Sequence, residues 1–307
     1  MSTVSLRLAA TVTLVCFVSD PAPAVYSESL CRSLEQSFEQ IARGASTAEI
    51  NAKLFAAADK GCLNLAKSVL GAGASVEARD GLGARPLARA ASAGHATIVT
   101  LLIEHGAPVD ARGLDGSTAL FKAAEAGRLP IVRLLVEHGA DVNLPGRSAI
   151  SPLSAAAFMG SSPIVQFLLE RGADPNAIDD TKKSAIVYAA GHGFTPVVRV
   201  LLDQGVDVNA KYGNDLTALM WAAGYSAEAG VKDAVEVMTL LIDRGARVDD
   251  QDNRGRTALM IAAELNHAAA ADLLLARGAD KGLKDKQGKT AADLTSLTAL
   301  REKLAAR

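Results

Sequence analysis

The chain is poor in aromatic residues: Phe, Tyr and Trp make up 4% of it, and it contains a single Trp. So low an aromatic content, in a chain rich in alanine, disfavours a β-sandwich, because strands draw on aromatic and β-branched side chains. The chain has no large excess of one sign of charge, since its 32 Lys and Arg residues and 34 Asp and Glu residues give a net charge of −2. The chain therefore lacks the positive charge with which proteins bind nucleic acids.

Motifs that carry chemistry are missing as well. No run of about 18 apolar residues is present, so we expect no membrane-spanning helix in the mature chain. The sequence has no Cys/His cluster at zinc spacing, no H-E-x-x-H and no G-x-S-x-G. The sequence of Gly282–Thr290 is similar to the phosphate-binding pattern G-x-x-x-x-G-K-[ST], but five residues separate its two glycines where the pattern needs four. No predicted strand precedes it either. We therefore expect no catalytic residues, no cofactor and no metal.

The N-terminus has the pattern of a secretory signal peptide at residues 1–24. Arg7 precedes an apolar run at residues 8–18, and Ala22 and Ala24 then have the A-x-A spacing of a cleavage site. A buried N-terminal helix fits less well, because two prolines follow the apolar run. The pattern predicts a periplasmic or secreted protein, and the abundance of alanine with more Arg than Lys mildly favours a bacterial source.

Two of the three cysteines, Cys31 and Cys62, lie beyond the predicted signal peptide. An even pair in an exported chain is a disulfide candidate, since thiols outside the cytoplasm meet an oxidising compartment. The alternative is two buried, unpaired cysteines that serve as small core residues.

An internal repeat is the strongest pattern in the sequence. A Leu-rich segment followed by Gly recurs with spacings of 33 residues, except for one of 40, at Gly73, Gly106, Gly139, Gly172, Gly205, Gly245 and Gly278. A Thr or Ser usually stands 21 residues before the glycine, and an Ala-Ala pair lies between the two. This pattern predicts two helices and a turn in each unit. The small alanines would allow the first helices of neighbouring units to approach closely.

The stretches GSTALFKAAEAGRLPIVRLLVEHGADVN from Gly116 and GRTALMIAAELNHAAAADLLLARGAD from Gly255 resemble the ankyrin-repeat family, whose unit is about 33 residues. The resemblance implies an all-α solenoid of stacked helix-turn-helix units with β-turn connections, capped at both ends. It also implies a non-enzymatic scaffold for protein-protein interaction. One departure is that other residues stand at the His position of the family's T-P-L-H tetrapeptide, so apolar packing must replace its hydrogen bonds; they are Ala88, Phe121, Ser154, Val187, Met220 and Met260.

The register divides the mature chain into three parts. A capping helix is expected within residues 25–48, seven repeats within 49–287 and a degenerate C-terminal cap at 288–307. Repeat six, residues 215–254, carries seven extra residues, which we expect to lengthen the loop between its helices.

A candidate partner-binding surface comes from comparing one register across the repeats. The position before each Ala-Ala pair accepts Arg89 and Lys122, so it is not expected to be fully buried. Together with the positions three and four residues later, which share its helical face, it becomes aromatic and apolar in repeats four to six, at Phe158, Met159, Tyr188, His192, Trp221 and Tyr225. The alternative is that these rings pack between helices as core.

The expected function is therefore an exported scaffold, monomeric on its own, that binds an unidentified protein partner through the concave face and turn tips. The alternative is an accessory or catalytic subunit of an envelope enzyme, using the region of His192 and Tyr225 or the insertion in repeat six.

Overall fold

The structure, a computed structural model, describes residues 24–225 and 229–306, with side chains from residue 28 onward. In this part of the chain the regular structure is helical, and the β pairing is limited to an isolated bridge between Tyr212 and Leu216. The expected all-α solenoid is thereby confirmed. The predicted signal peptide lies outside the described residues except for Ala24, which begins the first helix.

After α1 (Ala24–Ile41) the helices come in pairs along the chain. The pairs are α2 (Thr47–Lys60) with α3 (Leu63–Gly71), α4 (Pro86–Ala93) with α5 (Ala96–Glu104), α6 (Ala119–Glu125) with α7 (Leu129–Glu137), α8 (Pro152–Phe158) with α9 (Ser162–Glu170), α10 (Ala185–Gly191) with α11 (Thr195–Asp203), α12 (Ala218–Ala223) with α13 (Val231–Asp243), α14 (Ala258–Glu264) with α15 (Ala268–Ala276), and α16 (Ala291–Leu294) with α17 (Thr298–Ala305). We number the repeats one to seven from the α2–α3 pair to the α14–α15 pair.

Two helical layers result from this stacking. Each first helix packs on the first helix of the next repeat, and the second helices form a parallel layer behind them. The Ala-Ala pairs, such as Ala90 and Ala91, are completely buried between first helices, while leucines such as Leu135 and Leu168 fill the space between the layers. Small residues in one layer and long ones in the other thus give a continuous core along the array.

The turns between repeats also stack on one another through backbone hydrogen bonds. Gly213 N donates to Lys182 O at 3.0 Å, and Lys286 N donates to Arg254 O at 2.9 Å. Within a turn, an Asp carboxylate accepts from nearby amides, as Asp80 does from Leu82 and Ala84 at 2.9 Å each. These bonds explain why short polar residues that cap turns recur at the same position.

Several first helices begin at a hydroxyl cap, although the family's His is replaced; α4, with Arg85 at its N-cap, and α10, whose Ser184 makes no capping bond, do not. The Thr118 hydroxyl accepts from Phe121 N at 3.1 Å, and the Thr257 hydroxyl accepts from Met260 N at 3.3 Å. Phe121 and Met260 are themselves buried, so apolar packing occupies the position, as expected. Repeat four keeps a polar pair there, with the Ser151 hydroxyl donating to the Ser154 hydroxyl at 3.1 Å.

The insertion in repeat six lengthens the connection between its helices, as expected, and it also lengthens the second helix. Helix α13 has 13 residues where the other second helices have 8 or 9, so part of the insertion adds a helical turn. Gly230 is extended at its N-cap, and Asp233 lies in the first turn, where a carboxylate is favoured by the helix dipole. The rest lengthens the connection, which spans 224–230 in repeat six against 192–194 in repeat five.

The N-terminal helix α1 covers repeat one and is joined to it covalently. Phe38 is buried against the core, and a disulfide links Cys31 of α1 to Cys62 at the start of α3. A capping box between Ser46 and Glu49 opens α2, with Ser46 N donating to the Glu49 carboxylate at 2.8 Å. At the other end, Leu300 and Leu304 of α17 are buried on the stack. None of the described helices has the length and apolarity needed to cross a bilayer.

Candidate protein-binding surface

The exposed side of the first-helix layer, with the turn tips beside it, is the surface on which the predicted site residues lie. We call it the first-helix face. In repeats one to three it is charged: Arg89 pairs with Asp59 at 2.7 Å, and Lys122 pairs with Asp115 at 3.3 Å and with Glu125 at 3.2 Å. The charges here are thus largely satisfied within the chain.

These charged residues line an open groove of about 320 Å³ together with Leu82, which lies at a turn tip. Leu114 lies on the next turn, where its amide donates to Gly83 O at 3.2 Å. Leu82 and Leu114 are 80% and 76% exposed. The groove thus joins paired charges to an apolar rim.

The character of the face changes at repeat four, where aromatic rings come together. Phe158, which is 39% exposed, meets Tyr188 edge-on with ring centroids 5.7 Å apart and His192 with centroids 4.7 Å apart. His192 in turn stacks on Phe194 at 5.9 Å. Edge-to-face contacts of this kind stabilise rings that are only partly buried.

Tyr188 is held by a carboxylate at the adjacent turn. Its hydroxyl donates to Asp179, which is 4% exposed and also accepts from the Thr181 hydroxyl and amide at 2.7 Å each. Burial and the hydrogen bond to Asp179 raise the pKa of Tyr188, so its hydroxyl stays a donor at physiological pH. Burial also raises the pKa of Asp179, but the hydrogen bonds from Tyr188 and Thr181 outweigh it and lower the pKa overall. The pair therefore positions the ring as a fixed, neutral group.

Trp221 joins this cluster through a lysine. The Lys183 ammonium lies 4.9 Å from the Trp221 ring centroid and 5.6 Å from that of Tyr188. Such distances are those of cation–π attraction. The Trp221 ring is half-buried, and its indole Nε1 is sealed from solvent without a hydrogen-bond partner. We call Phe158, Tyr188, Lys183, His192 and Trp221 the aromatic cluster.

Two of the predicted site residues, Tyr225 and Met159, do not take part in the ring contacts of the aromatic cluster. Tyr225 stacks on His267 of repeat seven with ring centroids 3.8 Å apart. Met159 is half-buried at the C-terminus of α8, beside Phe158, and none of the ring contacts in the described residues involves it. The structure thus brings Phe158, Tyr188, His192 and Trp221 together, while Tyr225 extends the face towards repeat seven.

The comparison of helix positions missed three residues of this face. Lys183 and Asp179 lie on the turn before α10, outside the compared register, and their nearness to Tyr188 is visible only in the fold. Leu265, on α14's C-terminal side, is 48% exposed. Its hydrophobicity in the compared register was the signal that could have found it.

The histidines elsewhere bond the backbone. His105 Nδ1 lies 2.8 Å from Leu101 O, and His138 Nδ1 lies 2.8 Å from Leu134 O, each at the end of a second helix. His267 Nδ1 lies 2.9 Å from Ala223 O of the preceding repeat. In the parts of the chain that the structure describes, no three or more His, Cys, Asp or Glu side chains gather as metal ligands.

Comparison with known proteins settles the family. A family model described as ankyrin repeats in three copies matches residues 54–145 and 153–237. The chain belongs to the ankyrin-repeat family. A second model, ankyrin repeats in many copies, matches residues 241–294. The predicted family is thereby confirmed.

Among solved structures, the ankyrin-repeat chain is similar to the crystal structure of the human ASB11 ankyrin repeat domain, with 27% sequence identity and a TM-score of 0.65. The match covers 72% of this chain and 96% of the ASB11 domain. Among curated proteins, no sequence matches the chain. Ankyrin repeats are generally protein-protein interaction modules without enzymatic activity, which is the general function of the fold seen here.

Proposed function

We propose that this ankyrin-repeat protein is a non-enzymatic scaffold that acts outside the cytoplasm and binds a protein partner through the aromatic cluster. The observation that carries the proposal is the partial exposure of four rings, Phe158, Tyr188, His192 and Trp221, at the middle of the first-helix face. Partly buried aromatic residues held at the centre of a surface are the residue type that dominates binding energy at interfaces.

Backbone strain in front of the cluster supports the same location. Six described residues other than Gly have positive φ, and five of these lie in three consecutive turns beside repeats four to six: Ser148, Ala149, Lys182, Asn214 and Asp215. The corresponding position is Gly in four other turns, Gly83, Gly116, Gly255 and Gly288. Strain of this kind costs stability and is concentrated at binding and catalytic sites.

Export is supported by two features. The signal-peptide pattern at residues 1–24 predicts passage through the membrane. The disulfide between Cys31 and Cys62 is of the kind that persists in oxidising compartments and is rare in the cytoplasm. Cell fractionation with intact-mass analysis tests this part: we expect a chain that starts at residue 25 and gains alkylatable thiols only after reduction.

The enzymatic alternative gains no support from the described residues. It would need a titrating group that faces a cleft. Tyr188 has its pKa raised away from neutrality, and Tyr225 has its ring stacked on His267. A Tyr188 hydroxyl held protonated in this way does not suit a general base.

The proposed binding is tested with Phe158→Ser, which removes the most exposed ring of the cluster. The partner is first captured with wild-type protein from the extracytoplasmic fraction of the native source, and its affinity is then measured by calorimetry. We expect Phe158→Ser to weaken binding about thirtyfold, as loss of a central aromatic contact costs about 2 kcal/mol.

Leu297→Ser is the matched control, because Leu297 is 42% exposed but lies in the C-terminal cap between α16 and α17. It should bind as wild type does, and circular dichroism should show both variants folded. Equal binding by wild type and a folded Phe158→Ser variant would show that the partner does not use the aromatic cluster.

A further inference from the structure

The positive charge of Lys183 has no carboxylate partner among the described ion pairs of the chain. Its ammonium lies over the rings of Tyr188 and Trp221, yet among the described ion pairs of the chain none involves Lys183. By contrast, Lys122, which occupies the position of Tyr188 and Trp221 in repeat three, is paired with two carboxylates. The face therefore changes from paired charges to a half-buried cation that lies over two rings and forms no ion pair among the described residues.

The carboxylate on the same turn does not fill this gap. Asp179 accepts the Tyr188 hydroxyl, the Thr181 hydroxyl and the backbone amides of Thr181 and Lys183. Three of these bonds end on Oδ1 and the Tyr188 hydroxyl donates to Oδ2, and the Lys183 ammonium forms no ion pair with either oxygen. The Lys183 ammonium is left as a donor without a carboxylate.

A second donor without an acceptor lies in the same cluster. Trp221 Nε1–H is buried and makes no hydrogen bond. Buried donors are nearly always paired in folded proteins. The indole donor is sealed from solvent, so the accessible part of the cluster offers one charged donor, Lys183, and rings for apolar contact. This surface is complementary to a carboxylate next to an apolar group.

The adjoining turn tips have the same charge character. A cavity of about 260 Å³ is lined by Ile178, Lys182, Lys211, Tyr212 and Gly213, with no carboxylate among them. Ile178 is exposed and Lys211 Nζ donates to Gln251 O at 2.9 Å. Lys182 and Lys183 are consecutive, so this cationic and apolar cavity lies on the same turn as the lysine of the aromatic cluster.

We infer that the aromatic cluster recognises an acidic, apolar peptide segment of the partner, in which an Asp or Glu side chain pairs with Lys183 and an adjoining apolar side chain packs on Phe158 and Trp221. This inference rests on the proposed function. The repeats continue on both sides of the cluster, so a segment can cross the face as an internal stretch of its chain. Pairing with a carboxylate replaces part of the hydration that the half-buried ammonium has lost.

A displayed library of random short peptides tests the chemistry without knowledge of the partner. Selection is carried out on full-length, disulfide-bonded protein, with prior depletion on Phe158→Ser so that only peptides using the cluster remain. We expect the selected peptides to be enriched in Asp or Glu next to large apolar residues. Because Trp221 is the sole Trp, binding of a synthesised peptide to the cluster is followed by its fluorescence.

Lys183→Met is the decisive variant, since Met keeps the apolar stem over the rings and removes the charge. We expect it to bind the selected peptides about tenfold more weakly and to lose the decline of affinity with rising salt. Lys122→Met is the matched control and should bind as wild type does, because Lys122 already has its carboxylate partners.

The outcomes separate the inference from the proposed function. Cluster-dependent peptides with no acidic enrichment, or with unchanged affinity for folded Lys183→Met, overturn the inference and leave the proposed scaffold in place. If depletion on Phe158→Ser leaves no peptide that binds the wild-type protein, both are overturned. Acidic enrichment that is lost with Lys183→Met and kept with Lys122→Met supports both.

Discussion

The backbone of Gly146 lies directly against the ring of Phe121. A Cβ added to Gly146 would come within 2.5 Å of Phe121 Cγ and 2.6 Å of Cδ2, although the φ of Gly146, −90°, is open to other residues. Phe121 stands where the family pattern has His, and it is fully buried. The larger ring is thus accommodated by the absence of a side chain on the next turn.

Gly146→Ala should therefore destabilise the protein by overpacking, by about 1 to 3 kcal/mol in the free energy of unfolding measured with urea. In a Phe121→Ala background the added methyl group should cost much less, because the ring it meets is gone; a double-mutant cycle measures the coupling. Gly71→Ala is the control: no atom lies within 4 Å of its added Cβ, and it should be neutral or slightly stabilising. Additive costs in the cycle would contradict the contact.

The disulfide should stabilise the N-terminal cap. Cys31 and Cys62 are 31 residues apart, and closing such a loop contributes about 3 to 4 kcal/mol in the chain-entropy model. We expect reductant to lower the urea midpoint of wild type, and Cys31→Ser to unfold at the reduced midpoint with or without reductant. A wild-type urea midpoint that is the same with and without reductant would contradict a stabilising role for the disulfide.

Asp179 should make stability depend on pH in the acid range. Its pKa is lowered in the folded protein, so its contribution is present above the unfolded-state pKa of about 3.9 and is lost as the pH falls through the folded-state value. Asp179→Asn should therefore lower the free energy of unfolding at pH 6, and the difference from wild type should shrink below about pH 4. A difference that stays constant between these pH values would show that protonation of Asp179 is not involved.

The left-handed backbone conformation of Lys182 should lower the stability of the folded protein. Its φ is 62°, where the equivalent residues of four other turns are glycines. Lys182→Gly relieves strain of about 1 to 2 kcal/mol but adds unfolded-state entropy of about 0.4 to 1 kcal/mol, so we expect a net gain of about 0.5 to 1 kcal/mol in thermal unfolding. Lys60→Gly, at the end of a regular helix, should instead lose stability. Loss of stability in Lys182→Gly would mean that the lysine side chain makes a stabilising contact.

The connection between α12 and α13 should be the least protected of the links between paired helices. Seven positions separate α12 from α13, against three between α10 and α11, and long connections generally open at a lower free energy than the helices that they join. Hydrogen exchange should show rapid exchange there, with protection returning in α13, where Ala234, Val237 and Met238 are buried. A protection minimum in another repeat would contradict the expectation.

The sequence by itself determined the fold. The period of 33 residues, the Ala-Ala pairs and the Leu-rich second helices specify which faces are buried, because burial in a stacked array repeats at each unit. The position before each Ala-Ala pair is partly accessible, as expected, at Arg89, Lys122, Tyr188 and Trp221, but it is buried at Ala155 and Ile261. These features are local, so one repeat reveals the next.

Contacts between units were decided only by the tertiary structure. Tyr225 stacks on His267, 42 positions away, and Lys183 covers Trp221, 38 positions away. Both depend on how one repeat is rotated and spaced against its neighbour, and a side chain on a turn can reach a helix of the next unit only after the stack has formed. Tertiary packing also explains why part of the insertion forms an extra turn of α13. The burial of Ala234 and Val237 supports a helix there, and this packing outweighs the loop-like appearance of the local sequence.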